Sequence, residues 1–296
     1  MNEQFSKAKR FSEILDHTFQ LCKNYFSKFF LVYLILIGPI YLIEALFLLG
    51  SGVGFLRHVG NDMYWIDQFF DGYDVTNVFF LNSFIGLATL FLTPIAVASI
   101  LIALHKIKNK EEFTVGSAIK QAFSRFFPIL GSNLILGLIV VGLFVGFVTA
   151  LVVFGTIGGI FDHPLSAVLY TIVLIIGFFL GFALLFTRWG FYLATVVFKE
   201  GFPGLAQSWR LTKKNTWRVF GLFIVIFLIT GIVGVAVEGV VEIILGNSVL
   251  YVIIVNLVNI LISMINAVAY AVIYFDLKLR QDGDDLREMI DEYQNN

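Results

Sequence analysis

Apolar positions along this chain gather into six long runs: Phe29–Leu49, Val78–Leu104, Phe126–Phe154, Leu165–Thr187, Val219–Val237 and Val249–Phe275. A helix of about 20 residues, rising 1.5 Å at each, crosses a hydrocarbon core of about 30 Å. Several runs exceed that length and are expected to tilt or continue into the interface. A membrane β-barrel would show strands of about ten residues alternating apolar and polar positions, and the runs exclude it. The expected fold class is all-α: a polytopic bundle of six transmembrane helices, a single integral membrane domain over residues 1–296.

The polar positions between the runs orient the bundle. Nineteen of the twenty Lys and Arg fall on one side. Lys7, Lys9, Arg10, Lys23 and Lys28 precede the first run, and Lys106, Lys108, Lys110, Lys120 and Arg125 separate the second from the third. Arg188, Lys199, Arg210, Lys213, Lys214 and Arg218 separate the fourth from the fifth, and Lys278, Arg280 and Arg287 follow the sixth. Only Arg57 lies opposite. Positive charge stays inside, so both termini are expected in the cytoplasm and the protein in the cell membrane.

Composition agrees: 58% of residues are hydrophobic and 14% charged, against about 25% charged in soluble domains. Mean hydropathy is +0.88. The net charge of −1 carries little, because sign is sorted by side. The first run starts too late and runs too long for a signal-peptide core. Phe19-Gln20-Leu21-Cys22 makes a poor lipoprotein box. One cysteine forms no internal disulfide or thiolate metal cluster, and Cys22 reads as a core-facing position of an amphipathic helix.

Each pair of runs follows an amphipathic lead-in ending in a basic residue: Thr18-Phe19-Gln20-Leu21-Cys22-Lys23 before Lys28-Phe29-Phe30, and Ser208-Trp209-Arg210-Leu211-Thr212-Lys213 before Arg218-Val219-Phe220. A weaker copy places Ala118, Ala122 and Phe123 before Arg125-Phe126-Phe127. Three repeats follow, over residues 1–104, 105–198 and 199–296, each a cytoplasmic amphipathic helix and a membrane hairpin. In the first lead-in, Phe11, Ile14, Leu15, Thr18, Cys22 and Phe26 share a face opposite Glu13, Asp16, His17, Gln20, Lys23 and Asn24. Such a helix either lies in the headgroup plane beside membrane lipid or docks a cytoplasmic partner.

Polar groups inside the runs need a reason, since an ionised one costs about 2.5–3.5 kcal/mol at mid-membrane. Glu238 and Glu242 share one face near the outer end of the fifth run, and Glu44 lies at similar depth on the first. On the sixth run Asn256, Asn259, Ser263, Asn266 and Tyr270 form a stripe that should face the bundle. The stripe is either a polar path or ligand site, with the glutamates accepting protons or cations, or interhelical hydrogen-bond glue. Gly142 with Gly146 and Gly177 with Gly181 give the third and fourth runs small faces for close packing, or for a dimer. Pro39 and Pro94 should kink the first two runs. The loop Gly50–Asn77 mixes Asp62, Asp67, Asp71 and Asp74 with aromatics, and its acid spacing fits no EF-hand.

Chemistry is otherwise hard to find. His17, His58, His105 and His163 are scattered, and no His-Glu-x-x-His pair or phosphate loop with Lys is present. No catalytic residue, metal site or cofactor is assigned. Nucleic acid is not an expected partner, because topology accounts for the basic residues. Asp282-Gly283-Asp284-Asp285 reads as a turn opening a short amphipathic helix.

The stretch from Tyr274-Phe275-Asp276-Leu277-Lys278-Leu279-Arg280 to Asp282-Gly283-Asp284-Asp285-Leu286 resembles the tail of a bacterial membrane family that includes the membrane domain of some glycerophosphoryl diester phosphodiesterases. Phe11-Ser12-Glu13-Ile14-Leu15-Asp16 and Trp217-Arg218-Val219-Phe220-Gly221 resemble it as well. The resemblance implies a stand-alone membrane unit of Gram-positive type; the catalytic domain is absent, so its activity does not carry over. Asp276 and Arg280, one helical turn apart, can pair at the inner boundary and meet Arg188. The leading expectation is an accessory or scaffold protein without catalysis of its own, touching membrane lipid and a cytoplasmic or membrane protein partner. The alternative is a permease-like subunit for a small amphiphile or peptide, energised by a partner.

Overall fold

The computed structural model describes residues 5, 8–57, 75–160, 164–246 and 248–295, and among these every regular element is a helix. In chain order they are α1 (Phe11–Asn24), α2 (Phe26–Gly50), α3 (Val75–Lys108), α4 (Val115–Phe123), α5 (Phe126–Ile160), α6 (Pro164–Trp189), α7 (Tyr192–Val197), α8 (Leu205–Thr212), α9 (Thr216–Leu245) and α10 (Val249–Asn295). Five stretches, Phe80–Lys108, Phe126–Val153, Val168–Val197, Thr216–Leu245 and Val249–Gly283, are long and apolar enough to cross a membrane. A sixth is added if Phe26–Leu36 and Gly38–Gly50, bent by 53°, form one span. The acidic outer-loop residues Asp62, Asp67, Asp71 and Asp74 lie outside the described residues, as do His58 and His163.

The bend of α2 falls beside Pro39, where the ring meets the preceding turn and one helical N–H is missing. Pro94 lies inside α3, which runs as one continuous candidate span from Phe80 to Lys108. Ile95, Ala96 and Ala98, which follow the proline, are buried.

The chain divides into two compact units, Met1–Ser124 with Phe223–Leu279, and Arg125–Leu222 with Arg280–Asn296. The first has a core of Phe29, Val32, Tyr33, Leu101, Leu104, Met264, Val268 and Val272, all at most 2% exposed. Its α1 is anchored by the Arg10 N–H, which donates to Glu13 Oε2 at 2.7 Å. The helix buries Ile14, His17, Thr18, Leu21 and Cys22, leaving Phe11 exposed. This arc is rotated from the expected face, because Phe5 packs edge-on against His17 at 4.7 Å between centroids and draws the ring inward.

In the second unit α5 and α6 meet through rings: Phe147 stacks on Phe178 at 3.9 Å, and Phe144 meets Phe178 edge-on at 5.5 Å. Among the described residues, nothing packs closely on the glycine faces. A Cβ built at Gly142, Gly146, Gly177 or Gly181 would meet nothing within 4 Å. The bulky rings, on another face, set the helix separation. At the basic end, buried Ser208 ties α8 to the end of α6: its Oγ donates to the Arg188 carbonyl at 2.7 Å and accepts from Phe191 N at 3.0 Å. Gly204, at φ +85°, opens α8; a Cβ there would lie 2.5 Å from both Thr195 Oγ1 and the Tyr192 carbonyl oxygen. No other residue fits this approach.

One turn, which closes α2 with Gly52 at its left-handed position, recurs twice with a lysine there. After α3, Lys110 N–H donates to Ile107 O and Glu111 N–H to Lys106 O. After α7, Lys199 N–H donates to Val196 O and Glu200 N–H to Thr195 O. These are Schellman helix ends whose left-handed position glycine usually fills, but here lysines hold it, at φ 61° and 62°. Each turn continues through a Phe, Phe113 or Phe202, into a short helix.

The expected turn at Asp282-Gly283 is absent: the α10 backbone continues through it to Asn295. Adding a residue to an existing helix is cheap compared with nucleating one, and a single glycine costs only about 1 kcal/mol.

Candidate intramembrane polar site

Within the first unit, α2 and α10 bring Glu44 and Asn256 together, with Asn256 Nδ2 donating to Glu44 Oε2 at 2.7 Å. The contact flanks a cavity of about 420 Å³ lined by Gly38, Pro39, Tyr41, Ala45, Asn256 and Ile260 among others. The bend of α2 shapes it, since Gly38 and Pro39 lie in its wall. Apart from Asn256 and Tyr41, the named lining is apolar. It suits a hydrocarbon chain or an amphiphile with one polar group.

The remaining stripe does not converge there. Asn266 faces α9, where Thr230 Oγ1 lies 3.4 Å from its Oδ1 and donates at 2.9 Å to its own Ile226 carbonyl. Asn259 is exposed, and Ser263 is half-buried. Tyr251 at the start of α10 points its hydroxyl at Glu238, 3.4 Å away. Glu242 contributes its backbone carbonyl to the end of α9, accepting from Gly246 N at 2.7 Å. The candidate residues therefore split into separate interhelical contacts, α2 with α10 and α9 with α10, rather than one continuous line.

Arg57 has a job at this end. Its Nη1 donates to the Ile243 carbonyl at 2.8 Å, where a cation complements the negative end of a helix dipole. Beside it, Val249 N donates to Gly54 O and Leu250 N to Phe55 O, both at 3.1 Å. The segment after α2 thus clips the α9–α10 turn.

At the opposite, basic end, buried Asp276 accepts from Lys9 N at 2.7 Å. The Lys108 ammonium lies 5.1 Å from the Phe275 ring centroid. In the second unit the Arg188 guanidinium sits 4.6 Å over the Trp209 ring. Burial lowers the Lys9 pKa, against the pull of Asp276 and Glu13. Burial, then the Lys9 charge, lowers His17 from 6.5 to about 4. Among the described residues, neither His17 ring nitrogen has a hydrogen-bond partner. Burial also pushes the Cys22 thiol up to about 12, so Cys22 is an inert core thiol.

Sequence reasoning found Glu44 and Asn256 but not Thr230, Tyr251, Lys9 or the role of Arg57. A lone Thr or Tyr at a helix position carries no signal of its partner. Among the described residues, no three of His, Cys, Asp and Glu gather as metal ligands would. Comparison with known proteins adds nothing: no family model, curated protein or solved structure matches the chain.

Proposed function

We propose that this chain is a six-span protein of the cell membrane with both termini in the cytoplasm, acting as an accessory or scaffold subunit without catalysis of its own. One observation carries the reading: the short helices at the basic ends are anchored by part of their apolar surface while Phe11, Phe19, Phe123 and Trp209 stay exposed beside basic residues. α1 buries Ile14 and Leu21, α4 buries Ala118 and Ala122, and α8 buries Leu211. Lys23, Lys120, Arg210 and Lys213 stay exposed. An ordered basic surface binds an acidic partner without the entropic cost of ordering a loop. The recurring Lys-Glu turn before α4 and α8 supports the repeat of helix and hairpin, and the sorted basic residues support the orientation.

A photo-crosslinking residue placed at position 23, 120 or 213 in living cells should capture one common protein, and one at position 51 should not. With the crosslinker at position 23, Lys120→Glu and Lys213→Glu together should cut that adduct about tenfold at unchanged membrane level, as opposed rim charges do. Lipid adducts alone at every position would contradict the reading.

The cavity beside Glu44 and Asn256 favours a second reading, a permease-like subunit handling a small amphiphile. Under it, Asn256→Leu with Asn259→Leu abolishes flux while assembly survives; under the scaffold reading no flux is lost.

A further inference from the structure

A second cavity, of about 850 Å³, opens at the basic end of the first unit between the α1–α2 junction, the end of α3 and the start of α4. Tyr25, Lys28, Lys106, Lys110, Phe113 and Ser117 line it, with Glu111 and Glu112 also in its wall. We infer that this pocket binds an anionic phosphodiester, the headgroup of an acidic phospholipid at the membrane border.

Three observations converge. Lys28 and Lys106 stand in the first and last turns of apolar helices, the depth where headgroups lie and where basic residues attract anionic lipid. Lys28 is held in place: its Nζ sits 4.6 Å over the Phe113 ring and donates to the Phe113 carbonyl at 3.4 Å. Lys110 occupies the left-handed position of its turn, at φ 61°. Glycine would hold that position without strain; a lysine there instead brings a cation to the cavity wall.

Three ammonium groups against two carboxylates leave one surplus positive charge in the wall. That matches the single charge of a phosphodiester better than a dianionic phosphomonoester, and the glutamates can accept from headgroup hydroxyls. The Ser117 hydroxyl donates to the Thr114 carbonyl in capping α4, whereas the Thr114 hydroxyl accepts from Ser117 N and keeps its own proton for a headgroup oxygen; the charge that selects an anion comes from the lysines.

The test uses the full chain in mild detergent, with phosphatidylglycerol or phosphatidylcholine added and bound lipid counted by native mass spectrometry. Wild type should prefer phosphatidylglycerol. Lys110→Gly should weaken that binding about fivefold, the expected share of one lysine at a membrane surface, while Tm holds or rises because the strained turn relaxes. Lys199→Gly makes the same change in the twin turn, outside this lining, and should leave binding unchanged. Lys28→Gln, Lys106→Gln and Lys110→Gln together should cost about a hundredfold on the same basis; if that variant fails to fold, Lys110→Gly decides alone. Competition by the soluble deacylated headgroup ester would assign the phosphodiester to a free metabolite, and no competition assigns it to lipid. Equal retention of both lipids by wild type, or Lys110→Gly raising Tm with phosphatidylglycerol affinity intact, would overturn the inference.

Discussion

Glu44 and Asn256 show what one polar contact does inside an apolar helix pair. Each alone would leave a polar group unsatisfied among hydrocarbon, and together they tie α2 to α10 at 2.7 Å. Glu44→Leu and Asn256→Leu should therefore each destabilise more than the double change does. Interhelical hydrogen bonds in membranes couple by about 0.6 kcal/mol on average and about 1.7 at most. Unfolding of the four proteins in detergent measures the coupling, and strictly additive losses would dissolve the pair. Half of this contact was legible in the sequence. Helical spacing put Asn256 on a polar stripe and depth put Glu44 level with Glu238 and Glu242, but neither says which neighbour a side chain faces. The same gap hid Thr230: a threonine that bonds its own turn, here to the Ile226 carbonyl, looks like an ordinary helix residue.

For a whole element, α1 is the instructive case. Periodicity found the helix and placed Ile14, Thr18 and Cys22 inside, because a 3.6-residue repeat is a local property. It put His17 outside, since a histidine beside Asp16 and Gln20 reads as polar. Phe5, ahead of the helix, decides otherwise by packing on the ring. Tertiary contact outranks pattern there.

The cost has a pH signature. The folded His17 titrates at about 4, below the ordinary 6.5, so between those values the unfolded chain binds the extra proton. The contribution of neutral His17 is complete above pH 6.5 and drains away as pH falls toward 4, where the loss reaches on the order of 3 kcal/mol. His17→Phe keeps the ring contact without the proton. Tm of wild type should fall relative to that variant across this window and run parallel to it above pH 7. Parallel curves throughout would show that His17 is not buried as a neutral group.

At the scale of the molecule, long apolar runs announced the helices because lipid, as solvent, demands continuous apolar stretches. What the runs did not announce is how helices pair. Gly142 and Gly146 suggested close approach, whereas Phe147 and Phe178 make the contact. Nor does charge counting explain Arg57, which closes the end of α9. The repeated lysine turn was invisible as well, since only backbone geometry distinguishes Lys110 and Lys199 from other loop lysines.

The proposed sidedness puts the basic turns and short helices of a six-span chain in the cytoplasm. Thiol accessibility in intact cells tests it most directly, in a Cys22→Ser background carrying single cysteines at exposed positions, Ser51→Cys, Gly116→Cys or Lys213→Cys. A membrane-impermeant maleimide should label position 51 at once, and positions 116 and 213 only after the cells are permeabilised. Labelling of 116 or 213 in intact cells, or a position 51 that reacts only after permeabilisation, would contradict the account.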